Sequence, residues 1–311
     1  MIGFDDIVAA AGRIAPYVRR TPIMAVSAVS DPVSEAEMVL KLECLQATGS
    51  FKARGATNKL LSLPQAETAQ GIVAASGGNH GLAVARAARI AGVSGTIFVP
   101  TNIAPDKLEK LRHWGADVRI VGAHFGETNE HALRFVEETG AAYFHPFADP
   151  LVIAGQGSLG LELHEAAPDL DVLLVAVGGG GLICGLSVAM HHLNPNLRII
   201  GIEPEGAPTL KAAMDAGRPV RLPAVTTRVA TMAAHETVQG IVDIAKAHVE
   251  DVVLVSDDEM QDAASWLWFE LGIAADLSGA AAIAALRTGR LSFPKGTKVG
   301  ALVCGAGLPP A

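Results

Sequence analysis

Cysteine is scarce in this chain of 311 residues, and clusters of basic residues are missing. The three cysteines, Cys44, Cys184 and Cys304, are odd in number and widely spaced, so they resemble neither a disulfide framework nor a CxxC metal site. Such usage is typical of a reducing compartment, and we expect a cytoplasmic protein. No run of Lys and Arg is longer than Arg19-Arg20, and the formal net charge is −8. We therefore expect no nucleic-acid partner, because sequence-independent binding needs a basic stripe.

The patterns of a secreted or membrane protein are also missing. The first residues contain Asp5-Asp6 and no basic n-region, which argues against a signal peptide. Residues 172–190 carry no charge, but they hold five glycines, four of them contiguous. Because glycine disfavours a helix interior, this stretch predicts a buried strand, a loop and a helix, and we expect no membrane partner.

Apolar residues and glycine, by contrast, are abundant. Hydrophobic residues make up 50% of the chain and charged residues 18%, which excludes intrinsic disorder and supplies a large core. The length suits about two domains of roughly 100–200 residues each. Glycine occurs 33 times, a frequency above the usual ~7%, and this excess indicates specific turns or ligand-binding loops.

Short apolar runs alternate with helix-length segments along the chain. This alternation predicts an α/β protein whose parallel sheets are covered by helices on both faces. The best linker candidates are residues 146–150, with two prolines, and residues 62–65. The predicted strands are residues 71–76, 96–100, 116–122, 172–177, 197–204, 252–256 and 299–305. The clearest predicted helices are residues 105–114, 258–271 and 277–288.

The strongest candidate for a binding site is the glycine run Gly178–Gly181, between a predicted strand and a predicted helix. Contiguous glycines let backbone N–H groups converge on an anion, and the N-terminus of the next helix adds partial positive charge, so we expect a phosphate site. Neither the Walker A pattern nor the dinucleotide fingerprint fits the loop. Glu203, at the end of the next strand, imitates the ribose-binding acid of a nicotinamide site and leaves an oxidoreductase as a remote alternative. Its other interpretation is a solvated strand end.

Two further segments carry candidate chemistry. Residues 76–80, with the sequence SGGNH, follow a predicted strand and present donors suited to a second anion or a carboxylate, although Ser and Asn are also ordinary helix caps. Lys52 lies within residues 47–56, among small residues. A lone lysine is usually solvated, whereas a buried amine loses its proton readily and can act as a base or form a Schiff base.

Five motifs occur in the order KLECLQATGSFKARGA, ASGGNHG, AGQGSLGLEL, VGGGGLICG and LVCGAG, and they cover the chain from about residue 21 to residue 307. In this order and spacing the chain resembles the fold-type II pyridoxal-phosphate enzymes, in the branch of serine/threonine dehydratases and serine racemase. The resemblance implies two open, mainly parallel three-layer α/β domains of the tryptophan synthase β-like kind. Residues 1–65 and 148–311 would form the large cofactor-binding domain, and residues 66–147 a small inserted domain.

Carried over residue by residue, the resemblance implies a site for pyridoxal 5′-phosphate. Lys52 would be the Schiff-base lysine, with Phe51 packed against the cofactor ring. Asn79 would bond the 3′ oxygen of the ring, and Cys304 would lie beside the pyridine nitrogen. The phosphate would be held by Gly178, Gly179, Gly180 and Gly181. The substrate carboxylate would meet Ser76, Gly77, Asn79 and His80.

The chain departs from the family at several positions. Gly77 stands where racemases of this branch have a serine base, so racemisation is not expected. The cation site of the family would use Glu203, Ala207 and Thr209, and because one anionic ligand is missing we expect no metal. Asp276 replaces a glutamate of the family. In the remaining segment, Ala230-Thr231-Met232 replaces an Ala-Asp-Gly sequence, and His235 falls near a substrate-binding position that is usually small and polar.

The resemblance implies a homodimer, and with these features it predicts an ammonia-lyase that acts on a β-hydroxy amino acid by α,β-elimination. Lys52 would take the Cα proton, and the products would be a 2-oxo acid and ammonia. A thiol at Cys304 is a poor proton source for the pyridine nitrogen, which favours rapid loss of a β-leaving group; otherwise Cys304 is a small buried hydrophobe. His235 and Met232 keep the substrate open between threonine or serine and 3-hydroxyaspartate, a β-aryl serine or a hydroxyectoine catabolite. A non-catalytic binding protein is disfavoured by the intact Lys52.

Overall fold

The computed structural model of the protein describes residues 2–308, which form two sheets flanked by helices. The helices are α1 (Phe4–Ile14), α2 (Lys52–Ser62), α3 (Gln65–Thr68), α4 (Asn79–Ala91), α5 (Pro105–His113), α6 (Phe125–Thr139), α7 (Pro150–Ala166), α8 (Gly181–Leu193), α9 (Thr209–Ala216), α10 (Gln239–His248), α11 (Asp257–Leu271) and α12 (Leu277–Arg287). The strands are β1 (Ile23–Ala25), β2 (Glu37–Leu42), β3 (Ile72–Ala75), β4 (Gly95–Val99), β5 (Asp117–Ile120), β6 (Ala142–Tyr143), β7 (Val172–Ala176), β8 (Arg198–Pro204), β9 (Asp251–Val255) and β10 (Lys298–Val303).

The larger sheet has six strands in the order β1-β2-β10-β7-β8-β9. Its strands pair in parallel except β1, which runs antiparallel to β2. The central strand β10 places Val299 between Met38 on one side and Val172 on the other. Every residue of β7 is buried, and the core of this sheet is continued by apolar side chains of α8, α11 and α12. Helices on a buried parallel sheet are the predicted α/β arrangement.

The smaller sheet has four parallel strands in the order β5-β4-β3-β6. All residues of β3 and β4 are buried, and α4 supplies much of the apolar core against them. The four strands lie within residues 66–147, and the strands of the larger sheet lie outside that range. This separation supports the proposed division into a large domain and a small inserted one.

The seven predicted strands are confirmed as β3, β4, β5, β7, β8, β9 and β10, with ends that differ by one or two residues. The uncharged residues 172–190 form β7, the glycine loop and most of α8, and none of the described helices is long and apolar enough to cross a membrane. The sequence did not predict β1, β2 and β6. Two of these strands have only two or three residues, and β2 contains the charged but buried Lys41.

Lys41 belongs to a buried ionic cluster that anchors α2, the helix in which Lys52 is the first residue. Arg54, 1% exposed, donates from Nε and Nη2 to the two carboxylate oxygens of Glu43 at 2.8 Å each. Arg54 Nη1 also donates to Glu162 at 2.7 Å, and Lys41 Nζ donates to the same carboxylate at 2.7 Å. Burial disfavours a charged side chain that has no partner. The ion pairs among these residues therefore keep the buried groups charged.

Replacing Arg54 with methionine is expected to lower the free energy of unfolding by about 3–5 kcal/mol, because the fully buried Glu43 loses its bidentate partner. Urea unfolding would measure the change. In the double variant Arg54→Met with Glu43→Leu, most of the loss should be recovered, since the unpaired charge is gone. A double variant no more stable than Arg54→Met would show that the cost is one of packing and not of charge.

Candidate active site

Lys52 begins α2 and faces the junction between the two sheets. Its Nζ donates to the backbone carbonyl of Pro146 at 2.6 Å and lies 5.1 Å from the centre of the Phe51 ring. Burial lowers the pKa of Lys52 to about 8, because the ammonium form loses its hydration. A sizeable fraction of this amine is therefore neutral near neutral pH, which is the state a nucleophile or base requires.

The end of β10 brings Cys304 next to this lysine. The backbone N–H of Phe51 donates to the carbonyl of Cys304 at 3.3 Å, and Ser50 forms a bridge with Gly305. The Cys304 side chain is buried, with its Sγ 3.6 Å from the Ser278 hydroxyl. Burial raises the pKa of this thiol well above its ordinary value, and the group stays a neutral S–H.

The glycine run lies in the turn between β7 and α8, as predicted. Gly180 has a φ of +93°, a left-handed conformation that a side chain would strain, and α8 begins at Gly181. Within residues 2–308, the N–H groups of Gly178, Gly179 and Gly180 donate to no backbone or side-chain acceptor. Free N–H donors at a helix N-terminus fit a phosphate group. The loop therefore suits the phosphate group of a phosphorylated cofactor.

Two neighbouring segments pack onto the glycine loop. A Cβ at Gly179 would lie 2.2 Å from Cδ1 of Phe147, and a Cβ at Gly178 would lie 3.1 Å from Cα of Met232. A Cβ at Gly179 would overlap the Phe147 ring, so this close approach requires glycine, whereas a Cβ at Gly178 would need its neighbours to shift by a few tenths of an ångström. Thr237 Oγ1 also donates to the Gly179 carbonyl at 2.9 Å, which fixes the loop from outside.

The segment SGGNH joins β3 to α4, and its Asn79 is the first residue of that helix. Asn79 Nδ2 donates to Asp276 Oδ2 at 2.9 Å, while the other oxygen of Asp276 accepts from Gly279 N–H at the start of α12. A Cβ at Gly305 would lie 2.9 Å from Asn79 Nδ2. The amide of Asn79 therefore lies at the end of β10, close to the Cys304 backbone. Asn79 follows a strand of the smaller sheet, whereas Cys304 follows a strand of the larger one.

The other residues of this segment occupy different surroundings. A Cβ at Gly77 would lie 3.1 Å from Cδ1 of Ile103, so the wall next to this position is apolar. The ring of His80 is 3% exposed, and its Nε2 lies 2.8 Å from the Phe144 carbonyl. Burial lowers the pKa of His80 to about 3, and the ring is neutral. The Nε2 atom of His80 is therefore engaged by Phe144, and a contact of Ser76, Gly77, Asn79 or His80 with a substrate carboxylate stays a prediction.

Met232 and His235 lie in the segment that covers the glycine loop. Met232 is 2% exposed and contacts Gly178, whereas His235 is exposed. The backbone carbonyl of His235 accepts from Leu222 N–H at 2.8 Å, and in the described part of the chain its ring makes no hydrogen bond. Met232 forms part of the wall behind the loop, and a contact between His235 and substrate stays a prediction.

Glu203 is not a solvated strand end, and that interpretation is wrong. The side chain is fully buried, and its two oxygens accept from Leu210 N–H at 2.7 Å and Lys211 N–H at 2.9 Å. Burial raises the pKa of Glu203 to about 8, although the N–H donors of α9 oppose the rise. A carboxylate that caps α9 is not free to accept from a ribose. Among the described residues, no three His, Cys, Asp or Glu side chains are grouped to hold a metal ion.

The sequence did not single out the turn of residues 145–148, of which residues 146–148 were interpreted as part of a linker. The structure places the Pro146 carbonyl on the Lys52 amine and the Phe147 ring on the glycine loop. A strand before His145 would have marked this turn as a strand end, but β6 has only two residues. Asp276 was noted only as a replacement, and its bond to Asn79 was not predicted.

A glycine loop with free donors and a buried lysine with a lowered pKa fit a phosphorylated, amine-reactive cofactor. Residues 14–305 match the pyridoxal-phosphate dependent enzymes, and the chain belongs to this family. This membership sets aside the nicotinamide oxidoreductase.

Particular relatives narrow the class further. An L-threonine ammonia-lyase of Thermotoga maritima is 41% identical over 308 residues, 99% of this chain and 76% of that protein. The crystal structure of a T.th. threonine deaminase superposes with a TM-score of 0.91 at 36% identity and covers 100% of both chains. A maize serine racemase structure gives a TM-score of 0.92 at 33% identity, covering 98% of this chain and 94% of that one.

Proposed function

We propose that the protein is a pyridoxal-phosphate-dependent ammonia-lyase that converts a β-hydroxy amino acid of the threonine or serine type into a 2-oxo acid and ammonia. The observation that carries the proposal is the Lys52 amine, whose pKa is lowered to about 8, beside a glycine loop with unused N–H donors. The similarity to threonine ammonia-lyases over nearly the whole chain supports the same reaction.

Each group has a role that follows from its surroundings. When bound, the cofactor supplies the electron sink that makes the Cα proton of the amino acid acidic. The N–H groups of the glycine loop would hold its phosphate, and the neutral Lys52 amine would take the Cα proton as general base. The buried Cys304 thiol stays protonated and is too weak an acid to charge a pyridine nitrogen. Asp276 accepts from Asn79 Nδ2 and fixes this amide, which would bond the ring oxygen of the cofactor.

Relatives of this chain also include serine racemases, so a racemase is the second candidate. Racemisation needs an acid or base on each side of the Cα atom. Gly77, where the resemblance implies the second base, has no side chain, and Ile103 occupies the adjoining space. This apolar wall favours elimination over racemisation.

The preference of the enzyme for a substrate side chain is tested with a panel of β-hydroxy amino acids, each assayed for release of a 2-oxo acid and ammonia. If His235 reaches the substrate, kcat/KM should be highest for a bulkier or more acidic substrate, such as 3-hydroxyaspartate or a β-aryl serine, because an imidazole can donate to a carboxylate or stack on a ring. His235→Ser should then lower kcat/KM on that substrate by about 10-fold, the value of one hydrogen bond to a charged group, with little change on threonine.

The control for this prediction is His113→Ser, which removes another exposed imidazole, at the end of α5. It should leave the whole panel unchanged. Threonine with the highest kcat/KM, together with an unaltered His235→Ser enzyme, would place His235 outside the substrate site. A panel with no ammonia release from any member would refute the proposed reaction itself.

We also propose a cytoplasmic homodimer. The resemblance to fold-type II enzymes supports the assembly, and the scarcity of cysteine supports the compartment. Sedimentation equilibrium of the purified protein would then give a mass of about twice the 32.1 kDa of the chain, and a mass equal to one chain would refute the dimer.

A further inference from the structure

The turn that joins β6 to α7 is closed by a histidine side chain. His145 Nδ1 accepts from Ala148 N–H at 2.8 Å and from Phe147 N–H at 3.2 Å. An acceptor that bonds the N–H groups two and three residues further on fixes a turn in the way that Asn and Asp side chains do. The ring of His145 also meets the Phe147 ring edge-on, with centres 4.6 Å apart.

One peptide unit of this turn lies between His145 and Lys52. The carbonyl of Pro146 and the N–H of Phe147 belong to the same planar trans peptide, so they point in opposite directions. His145 holds the N–H side of the unit, and the carbonyl side accepts from Lys52 Nζ at 2.6 Å. Proline fixes its own φ, so the unit can rotate only through ψ of Pro146 and φ of Phe147. The bond from Phe147 N–H to His145 restrains this rotation.

The protonation state of His145 suits this task. A nitrogen that accepts two N–H groups carries no proton, so the neutral ring bears its hydrogen on Nε2. Burial, aided by the charges of Lys52 and Lys59 and opposed by Asp149, lowers the pKa of His145 to about 4. The acceptor is therefore present throughout the neutral pH range.

We propose that His145 is a positioning residue, which holds the Lys52 amine in its reactive place by fixing the Pro146 carbonyl. The inference rests on the proposed role of Lys52 as the catalytic amine. The same turn presses Phe147 onto Gly179, so its geometry bears on the phosphate loop as well as on the amine.

The test compares His145→Leu, which removes the acceptor, with His145→Asn, which keeps a side-chain acceptor able to close the turn. On threonine, or the best substrate of the panel, His145→Leu should lower kcat by at least about 10-fold with KM within about twofold, because a small displacement of a catalytic group costs rate more than binding. His145→Asn should keep kcat within about threefold of the wild type. The matched control, His113→Leu, should change neither constant.

Two measurements on the cofactor-free protein do not depend on activity. Nitrogen NMR of the wild type should show His145 with Nδ1 unprotonated and Nε2 protonated at pH 7. Hydrogen exchange at Phe147 N–H should be about fivefold faster in His145→Leu than in His145→Asn, the effect of one hydrogen bond.

A wild-type kcat in His145→Leu, an equal loss in the Leu and Asn variants, or a proton on Nδ1 would each overturn the role of His145. These outcomes leave the proposed function intact as long as Lys52→Ala is inactive. Full activity in Lys52→Ala would refute the catalytic role of Lys52, on which this inference rests, whereas a wild type that releases no ammonia from any β-hydroxy amino acid would refute the function. If His145→Leu does not fold, the NMR result and the activity of His145→Asn still decide the question.

Discussion

Lys52→Ala should lower kcat on the best β-hydroxy substrate by roughly 10²–10⁴-fold, the range that a positioned general base contributes, and should abolish any borohydride-reducible link to the cofactor. Within residues 2–308, the side chain of Lys52 makes a single hydrogen bond, from Nζ to the Pro146 carbonyl. Alanine is also the strongest helix former, so the first turn of α2 should persist and the melting temperature should change little. Ammonia release and peptide mapping after reduction measure the two losses.

The control is Lys107→Ala, which removes an exposed lysine from α5. Its turnover and its covalent cofactor should match those of the wild type. Normal ammonia release in Lys52→Ala would show that another group takes the Cα proton.

The lowered pKa of Lys52 gives this prediction a second readout. In the cofactor-free protein, the neutral amine becomes the major form as the pH rises through about 8. Modification of Lys52 by an amine-reactive reagent should therefore accelerate over that range, whereas an ordinary exposed lysine accelerates near its pKa of about 10.4. Acceleration of Lys52 only near the higher value would mean that burial does not activate the amine.

Gly180→Asp should weaken cofactor binding by at least about 10-fold, or about 1.4 kcal/mol. Three effects act together. The φ of +93° is strained for any side chain, the new Cβ would lie 2.5 Å from Cγ2 of Ile241, and the carboxylate would repel the cofactor phosphate. Titration of the cofactor-free variant by fluorescence measures the affinity, and Gly180→Ala separates the backbone cost from the charge.

The matched control is Gly240→Asp, which adds the same charge one residue from Ile241. A Cβ at Gly240 meets nothing within 4 Å, and the position lies in the first turn of α10, where an acidic residue is favourable. Its cofactor affinity should equal that of the wild type. If Gly180→Asp also binds normally, the loop does not hold the phosphate.

The sequence predicted the parts of the fold that are encoded locally. Buried parallel strands are short apolar runs, and β3, β4, β7 and β10 were found from such runs alone. Strand β2 was missed because the charge of Lys41 interrupts its pattern, and that charge is tolerated in the core because Lys41 Nζ donates to the distant Glu162 and to the Thr21 carbonyl.

The residues of the site also fall into those that a local sequence pattern predicts and those that only the folded structure shows. The glycine loop and Lys52 carry local signals, namely a contiguous glycine run and a lysine among small residues. The bond from Asn79 to Asp276 joins residues 197 positions apart, and no local pattern encodes it. Glu203 was misjudged for a different reason, because its partners are near in sequence but reach the carboxyl group only through the fold of the chain from β8 into α9. Which side chains meet across the two sheets is a property of the assembled fold.

Borohydride reduction of the protein loaded with pyridoxal 5′-phosphate, followed by mass mapping of the peptides, tests most directly whether Lys52 is the catalytic amine. We predict that the reduced cofactor is found on the peptide that contains Lys52 and on no other lysine. Label on Lys59, in the same helix, or on any other lysine would contradict the assignment, and so would the absence of covalent label.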